Sequence, residues 1–179
     1  AETGQRVLII GASGAVGTFA VQIAKGRGAE VTGVCSTSKV DLVRSIGADH
    51  VIDYASEDFA DGREHYDLIL DMGGNSRLSR LRRALTPRGT LVIVGGEGGG
   101  RWTGGFGRGL RAAALSPVVG QRPAMKMSNE NAADLERRAQ LIAVGALSPV
   151  NDRAEPLEPA PDALRPLAPL IQGFRLQHL

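Results

Sequence analysis

The chain has 179 residues, 42% of them hydrophobic, with 24 glycines and a formal net charge of +2. That hydrophobic share builds one sizeable core and excludes wholesale disorder. The glycines follow no Gly-X-Y period, which excludes collagen, and no apolar run reaches the roughly 18 residues that span a bilayer. One cysteine, Cys35, excludes an internal disulfide and a thiolate-built zinc site, and points to a reducing, cytoplasmic setting.

Residues 6–95 alternate between two kinds of segment. Short β-branched runs at Val7–Ile10, Val31–Val34, His50–Ile52, Asp67–Leu70 and Thr90–Val94 predict buried strands. Helical spacing predicts helices over Ala15–Lys25, Val40–Ile46 and Asn75–Leu85. Val16, Ala20, Ile23 and Ala24 form the apolar face of the first; Leu78, Leu81 and Leu85 that of the third, which Pro87 and Gly89 stop. The polar stretch Asp53–Glu64 is expected to hold only a short helix. This repetition predicts an α/β fold: a Rossmann-type doubly wound parallel sheet in three layers, α/β/α.

From Gly95 to Gly109 glycine dominates, and both an active-site loop and a plain surface loop fit. Val118–Met127 suits a further strand interrupted by Pro123, and Asn129–Val144 a helix capped by Ser128 or Asn129 and ended by Gly145. Residues 1–148 are expected to form the dinucleotide-binding domain. Residues 149–179, rich in proline, read as irregular chain with at most a short helix at Pro161–Leu167.

The sharpest chemical signal is the loop Gly11-Ala12-Ser13-Gly14-Ala15-Val16-Gly17, which follows a strand and opens a helix. Against G-x-G-x-x-G, Ala12 stands at the first place and Gly14 and Gly17 at the others, with Gly11 just ahead. Gly14 lets backbone amides approach a pyrophosphate, Gly17 lets the helix pack on the first strand, and the helix N-terminus supplies positive potential. A tight strand-to-helix turn without a ligand is the plainer reading.

At the end of the second strand an NAD-preferring site places an acid for the ribose 2′-hydroxyl. Here Cys35 is followed by Ser36, Thr37, Ser38 and Lys39, and no acid occurs between Val31 and Val40. Hydroxyls and a lysine suit a 2′-phosphate, so NADP(H) is favoured over NAD(H); the same Ser-Thr-Ser also suits a helix cap. The pairs Gly73-Gly74 and Gly95-Gly96 end strands, where small residues clear a ligand's path.

Together these residues resemble the coenzyme-binding half of medium-chain dehydrogenase/reductases, in the zinc-independent quinone oxidoreductase branch. The resemblance runs through Gly4–Gly17, Ala20–Lys25, Gly47–Tyr54, Tyr66–Asp71 and Pro87–Val92. It implies pyrophosphate binding at Ala12, Gly14 and Gly17 and adenosine-phosphate contacts from Ser36 and Tyr54, with Ser38 and Lys39 near the basic position of many relatives. It also implies hydride transfer between nicotinamide and a quinone, enone or carbonyl substrate. A substrate domain is expected ahead of Ala1, so the chain, which has no initiator Met, reads as half of a two-domain enzyme. No catalytic residue and no metal ligand is assigned. The alternative is a cofactor-binding or interaction module without turnover.

Other chemistries fit less well. Tyr54 and Tyr66 lack the lysine four residues on that a short-chain dehydrogenase needs; Asp58 and Leu70 stand there. His50, His65 and His178 have no metal spacing, and no Gly-x-Ser-x-Gly elbow or Gly-Lys-Ser/Thr phosphate loop occurs. Residues 77–126 set ten Arg and Lys against Glu97 alone; a solvated helix face with coenzyme-facing arginines is the favoured reading of this patch, so no nucleic-acid partner is expected. No membrane partner is expected either. Family analogy suggests a homodimer through an edge strand near Ala124–Met127.

Overall fold

A computed structural model describes residues 1–73, 76–94, 122–124 and 132–150. Six parallel strands lie in the order β3-β2-β1-β4-β5-β6: β1 Arg6–Ile10, β2 Glu30–Cys35, β3 His50–Asp53, β4 Tyr66–Asp71, β5 Leu85–Ile93 and β6 Arg122–Ala124. The order reverses between β1 and β4, where open α/β sheets take their ligands. The helices described are α1 Ala15–Gly26, α2 Val40–Ser45, α3 Leu78–Arg83 and α4 Ala132–Ala143.

Alternation along β1 sorts the core into two layers. Val7 and Ile9 face Val21 and Ala24 of α1 and Val43 of α2. Leu8 and Ile10 face the other way, with Ile69, Leu81 of α3, Phe59 and Ala60. The three-layer α/β/α expectation therefore holds. By contact the chain divides into two compact units, Ala1–Pro149 and Val150–Leu179. The expected irregular segment, including Pro161–Leu167, lies almost wholly outside the described residues.

Four local expectations are revised. The buried stripe of α1 is Gly17, Thr18, Val21 and Ala24, while Val16 is 59% exposed and Ile23 is exposed too. Of the expected face Ala24 lies in this stripe; Val21 joins it with Thr18 and Gly17, which a tally of apolar residues does not count. The third helix is α3 alone: Leu85 belongs to β5, pairing with Tyr66, and the next partners are Leu68 and Thr90. Thr86–Gly89 is thus extra chain bulged within β5, not a helix stop.

Residues 54–64 carry no helix. Acidic side chains capture the backbone there: Asp53, Asp58 and Asp61 accept the amides of Ala55, Ala60 and Arg63 at 2.9, 2.8 and 2.9 Å. Such turns compete with helical hydrogen bonding. Arg80 of α3 then ties the segment down, donating to Asp58 at 2.7 Å and lying 5.1 Å from the Phe59 ring centroid.

Further along, α4 starts at Ala132, and Ser128 and Asn129 lie outside the described residues; Gly145 follows with φ +71°, the left-handed end expected. Pro123 stands inside β6 rather than breaking it, at the sheet edge where a missing N–H is tolerated. The return after α4 is clasped to α1: Gln22 Nε2 donates to the Ser148 carbonyl at 3.0 Å, and the Ser148 amide donates to Gln22 Oε1 at 2.7 Å.

Asp49 joins three elements. It accepts from Lys25 Nζ at 2.7 and 2.9 Å and from the Val31 amide at 2.7 Å. Burial pushes its carboxyl upward, but the Lys25 and Val31 hydrogen bonds and the Lys25 charge outweigh this and hold it below the ordinary 3.8. A depressed carboxyl stabilises the fold fully above its unfolded value, and that stability is lost as pH falls through the folded one. Asp49→Asn is expected to cost about 1 kcal/mol at neutral pH and to flatten the loss of stability below about pH 4, read by urea unfolding across pH. An unchanged acid limb overturns this role.

Candidate functional site

The site lies at the carboxyl end of β1. Gly11, at φ +83°, turns the chain sharply, and the amides of Gly11 and Ala12 both donate to the Val34 carbonyl of β2 at 3.1 Å. Gly11, rather than the residue at the first motif position, therefore makes the tight turn. Ala12 is fully buried; a Cβ on Gly33 of β2 would lie 3.0 Å from the Ala12 Cβ.

Gly14 is the N-cap of α1, with φ −76° and ψ 167°, a conformation open to any residue. It offers no side-chain cap, and the first turn holds no acid. The leading N–H groups of the helix and its positive dipole end thus face outward without a side-chain acceptor from the cap. Ser13 is half-buried, and Gly14, Ala15 and Val16 are exposed.

The glycines divide their work. A Cβ on Gly17 would strike the Gly11 carbonyl oxygen and come within 2.8 Å of the Ala12 carbonyl carbon, all backbone. A Cβ on Gly14 would meet only the Gly11 oxygen, at an ordinary 3.4 Å. Gly17 is glycine for packing. Gly14 is required neither by packing nor by its dihedral angles. The cradle a Cβ would fill is what a pyrophosphate needs, so the residues present fit a dinucleotide.

The β4 loop joins the β1 loop here. The Met72 amide donates to the Ile10 carbonyl at 3.0 Å, and a Cβ on Gly11 would lie 3.3 Å from the Gly73 nitrogen. The Val94 amide continues the floor to the Asp71 carbonyl at 2.9 Å. Gly73 thus stands beside the glycine loop; Gly74, Gly95 and Gly96, with the glycine-rich run to Gly109, lie outside the described residues.

A second cluster forms where β2 and β3 end. Thr37–Lys39 make one 3₁₀ turn, with the Ser36 and Ser38 hydroxyl oxygens 3.4 Å apart. Tyr54, 65% exposed, follows β3 and donates its amide to the Cys35 carbonyl at 3.1 Å. The structure therefore brings Ser36, Ser38, Lys39 and Tyr54 to one end of the sheet.

It also brings an acid there that a scan of residues 31–40 overlooks. Asp53 accepts from the Thr37 hydroxyl at 2.6 Å and from the Ala55 amide. The Thr37 bond first, then the Ala55 bond, holds its carboxyl below the ordinary range. The only signal in the sequence was an acid closing the neighbouring strand. Cys35 is buried, and burial first, then the Asp53 charge, pushes its thiol upward, against a lowering by Arg44. A buried thiol so raised stays protonated and is a poor nucleophile.

Among the described residues no three His, Cys, Asp or Glu side chains gather as a metal donor set. His50 and His65 stand at the amino ends of β3 and β4, opposite the glycine loop. A polar cleft of about 620 Å³ opens at that far end beside Arg6, Glu30, His50 and Tyr66, where Arg6 pairs with Glu64 at 2.8 Å and His50 Nε2 lies 3.1 Å from a Glu30 carboxylate oxygen.

The family model described as zinc-binding dehydrogenase matches residues 46–168. Over 77 residues the chain is 53% identical to the human (Homo sapiens) "NAD(P)H oxidoreductase RTN4IP1, mitochondrial", covering 41% of this chain and 19% of that protein. Over 75 residues it is 48% identical to "Trans-enoyl reductase pgmF" of Aspergillus terreus, covering 40% and 21%. The quinone oxidoreductase of Coxiella burnetii superposes with a TM-score of 0.77 at 22% identity, covering 97% of this chain and 50% of that one, a likeness of fold. The matched stretch thus spans about a fifth of these curated relatives, and the chain about half of the solved neighbour.

Proposed function

The chain belongs to the zinc-binding dehydrogenase family, and from that premise we propose that residues 1–148 are the NADP(H)-binding domain of an oxidoreductase of the medium-chain dehydrogenase/reductase kind. The whole enzyme passes hydride between nicotinamide and a quinone, enone or related carbonyl; the coenzyme supplies that chemistry, and the protein supplies binding and orientation. The leading amides of α1, with Ser13 and the space over Gly14, receive the pyrophosphate. Ser36, Ser38, Lys39 and Tyr54 receive the 2′-phosphate end, while Gly73, beside the glycine loop, keeps the path of the rest of the coenzyme free of a side chain.

The observation that carries this reading is Gly14, a glycine that neither the backbone nor the packing requires, at the mouth of an uncapped helix. The NAD(P)H and enoyl-reductase activities named for the relatives support the chemical class. Titration with NADPH and NADH by calorimetry is expected to give binding of both, tighter for NADPH. Binding of neither overturns the reading, and tighter NADH overturns the preference.

We propose as the second reading a cofactor-binding module without turnover. Coenzyme binding without reduction of any quinone or enone supports it. Self-association through β6, at the sheet edge, is proposed with it; sedimentation of a monomer at high concentration removes that part.

A further inference from the structure

Asp53 links the two pieces of chain that surround the adenosine end of the site, and the inference here rests on the coenzyme reading above. The residue closes β3 in register with Cys35, which closes β2. Its carboxylate takes the Thr37 hydroxyl at 2.6 Å on one oxygen and the Ala55 amide at 2.9 Å on the other. Its carbonyl accepts the amides of Ser56 and Glu57 at 3.1 and 2.8 Å. One residue therefore fixes the Ser36–Lys39 turn against the loop that carries Tyr54.

An acid at this end of an open α/β sheet accepts from a ribose 2′-hydroxyl and repels a 2′-phosphate. In this chain β2 ends without one, and the neighbouring strand brings a carboxylate to the same turn. We propose that Asp53 is the residue that sets coenzyme preference, and that the Thr37 hydroxyl, by occupying its carboxylate, holds it off the ribose. With that bond made, the charge is partly spent on Thr37, and the hydroxyls of Ser36 and Ser38 stand beside it in the same turn. The site then admits both coenzymes, with the phosphorylated one ahead.

The two ends of this one hydrogen bond are expected to act in opposite directions. Asp53→Asn removes the charge and keeps an oxygen for the Thr37 hydroxyl or the Ala55 amide; the ratio of Kd for NADH to Kd for NADPH is expected to rise about tenfold, the scale of one charge-assisted bond. Thr37→Val removes the donor and keeps the charge; the freed carboxylate then meets the ribose, and the same ratio is expected to fall about fivefold. Adenosine 2′,5′-bisphosphate against 5′-AMP, titrated into the same proteins, reports the 2′ position alone. Thermal unfolding accompanies each variant.

Ratios that shift in one direction in both variants, or in neither, overturn the role of Asp53 while leaving the coenzyme site intact. Should Asp53→Asn fail to fold, Thr37→Val with the two adenosine ligands decides alone, since a purely structural bond leaves their ratio unmoved. Wild-type protein that binds neither coenzyme nor either adenosine ligand overturns the site itself, and this assignment with it.

Discussion

Replacing Gly17 with alanine is expected to abolish cooperative folding, while the same replacement at Gly14 leaves the protein folded and weakens its hold on the proposed coenzyme. The new methyl at position 17 would strike the Gly11 carbonyl oxygen and stand 2.8 and 2.9 Å from the Ala12 carbonyl carbon and Cα. These are main-chain atoms pinned to β2 through the Val34 carbonyl, so no side chain can swing aside. α1 must lift off the sheet, taking Val21 and Ala24 out of the core. Overpacking of side chains costs typically about 1–3 kcal/mol. A rigid main-chain clash exceeds that range, against a total stability of about 5–15 kcal/mol.

At position 14 the methyl meets one atom at 3.4 Å and the dihedral angles suit alanine. The cost to the fold is about 1 kcal/mol for a poorer N-cap, whereas coenzyme affinity is expected to fall at least about tenfold because the methyl occupies the approach to the leading amides. Urea unfolding and coenzyme titration of the two variants read both halves. A folded Gly17→Ala protein, or full coenzyme affinity in Gly14→Ala, removes the division of labour among these glycines.

Ile69→Ala is expected to lose about 3–4 kcal/mol, the second large effect. Ile69 is fully buried in the central strand β4, packed among Leu8, Ile10 and Leu81. β4 is paired on both sides, to β1 and to β5, so the sheet cannot close over the space left. Core truncations of this kind fall within about 2–5 kcal/mol and rise with the cavity that remains. Leu135→Ala on α4 provides the contrast: Leu135 is 59% exposed, and about 0.5 kcal/mol is expected. Equal losses at the two positions, measured by urea denaturation, contradict this placement of the core.

What the sequence revealed was whatever depends on near neighbours. The strand Val7–Ile10, the glycine loop and the start of α1 are encoded within a dozen residues by an apolar run, glycines and a helical period, and they stand where expected. The two-layer core followed from strand length and composition. Where partners lie far apart the reading lost its grip. Leu85 has helical spacing from Leu78 and Leu81, yet pairing with Tyr66 draws it into β5, and no local pattern announces that. The buried stripe of α1 runs through a glycine, to which any hydrophobic tally is blind. Thr37 and Asp53 are sixteen residues apart, so the acid at the adenosine end became visible only when β2 and β3 lay side by side. Gly95 and Gly96 were expected to end a strand on a ligand's path, as Gly73 was, and lie outside the described residues.

The clasp between Gln22 and Ser148 divides two duties that are often credited to one contact. Each of its two hydrogen bonds contributes about 1 kcal/mol net, and it satisfies both the amide and the carbonyl of Ser148 as a neighbouring strand would. Leu147, 3% exposed next to it, contributes about 2 kcal/mol by burial but no direction, because apolar contact is indifferent to orientation. The leucine therefore supplies adhesion and the carboxamide supplies the address. A sliding error of one residue would cost the chain both main-chain partners at once, so the returning segment finds its register on α1 digitally rather than by degrees.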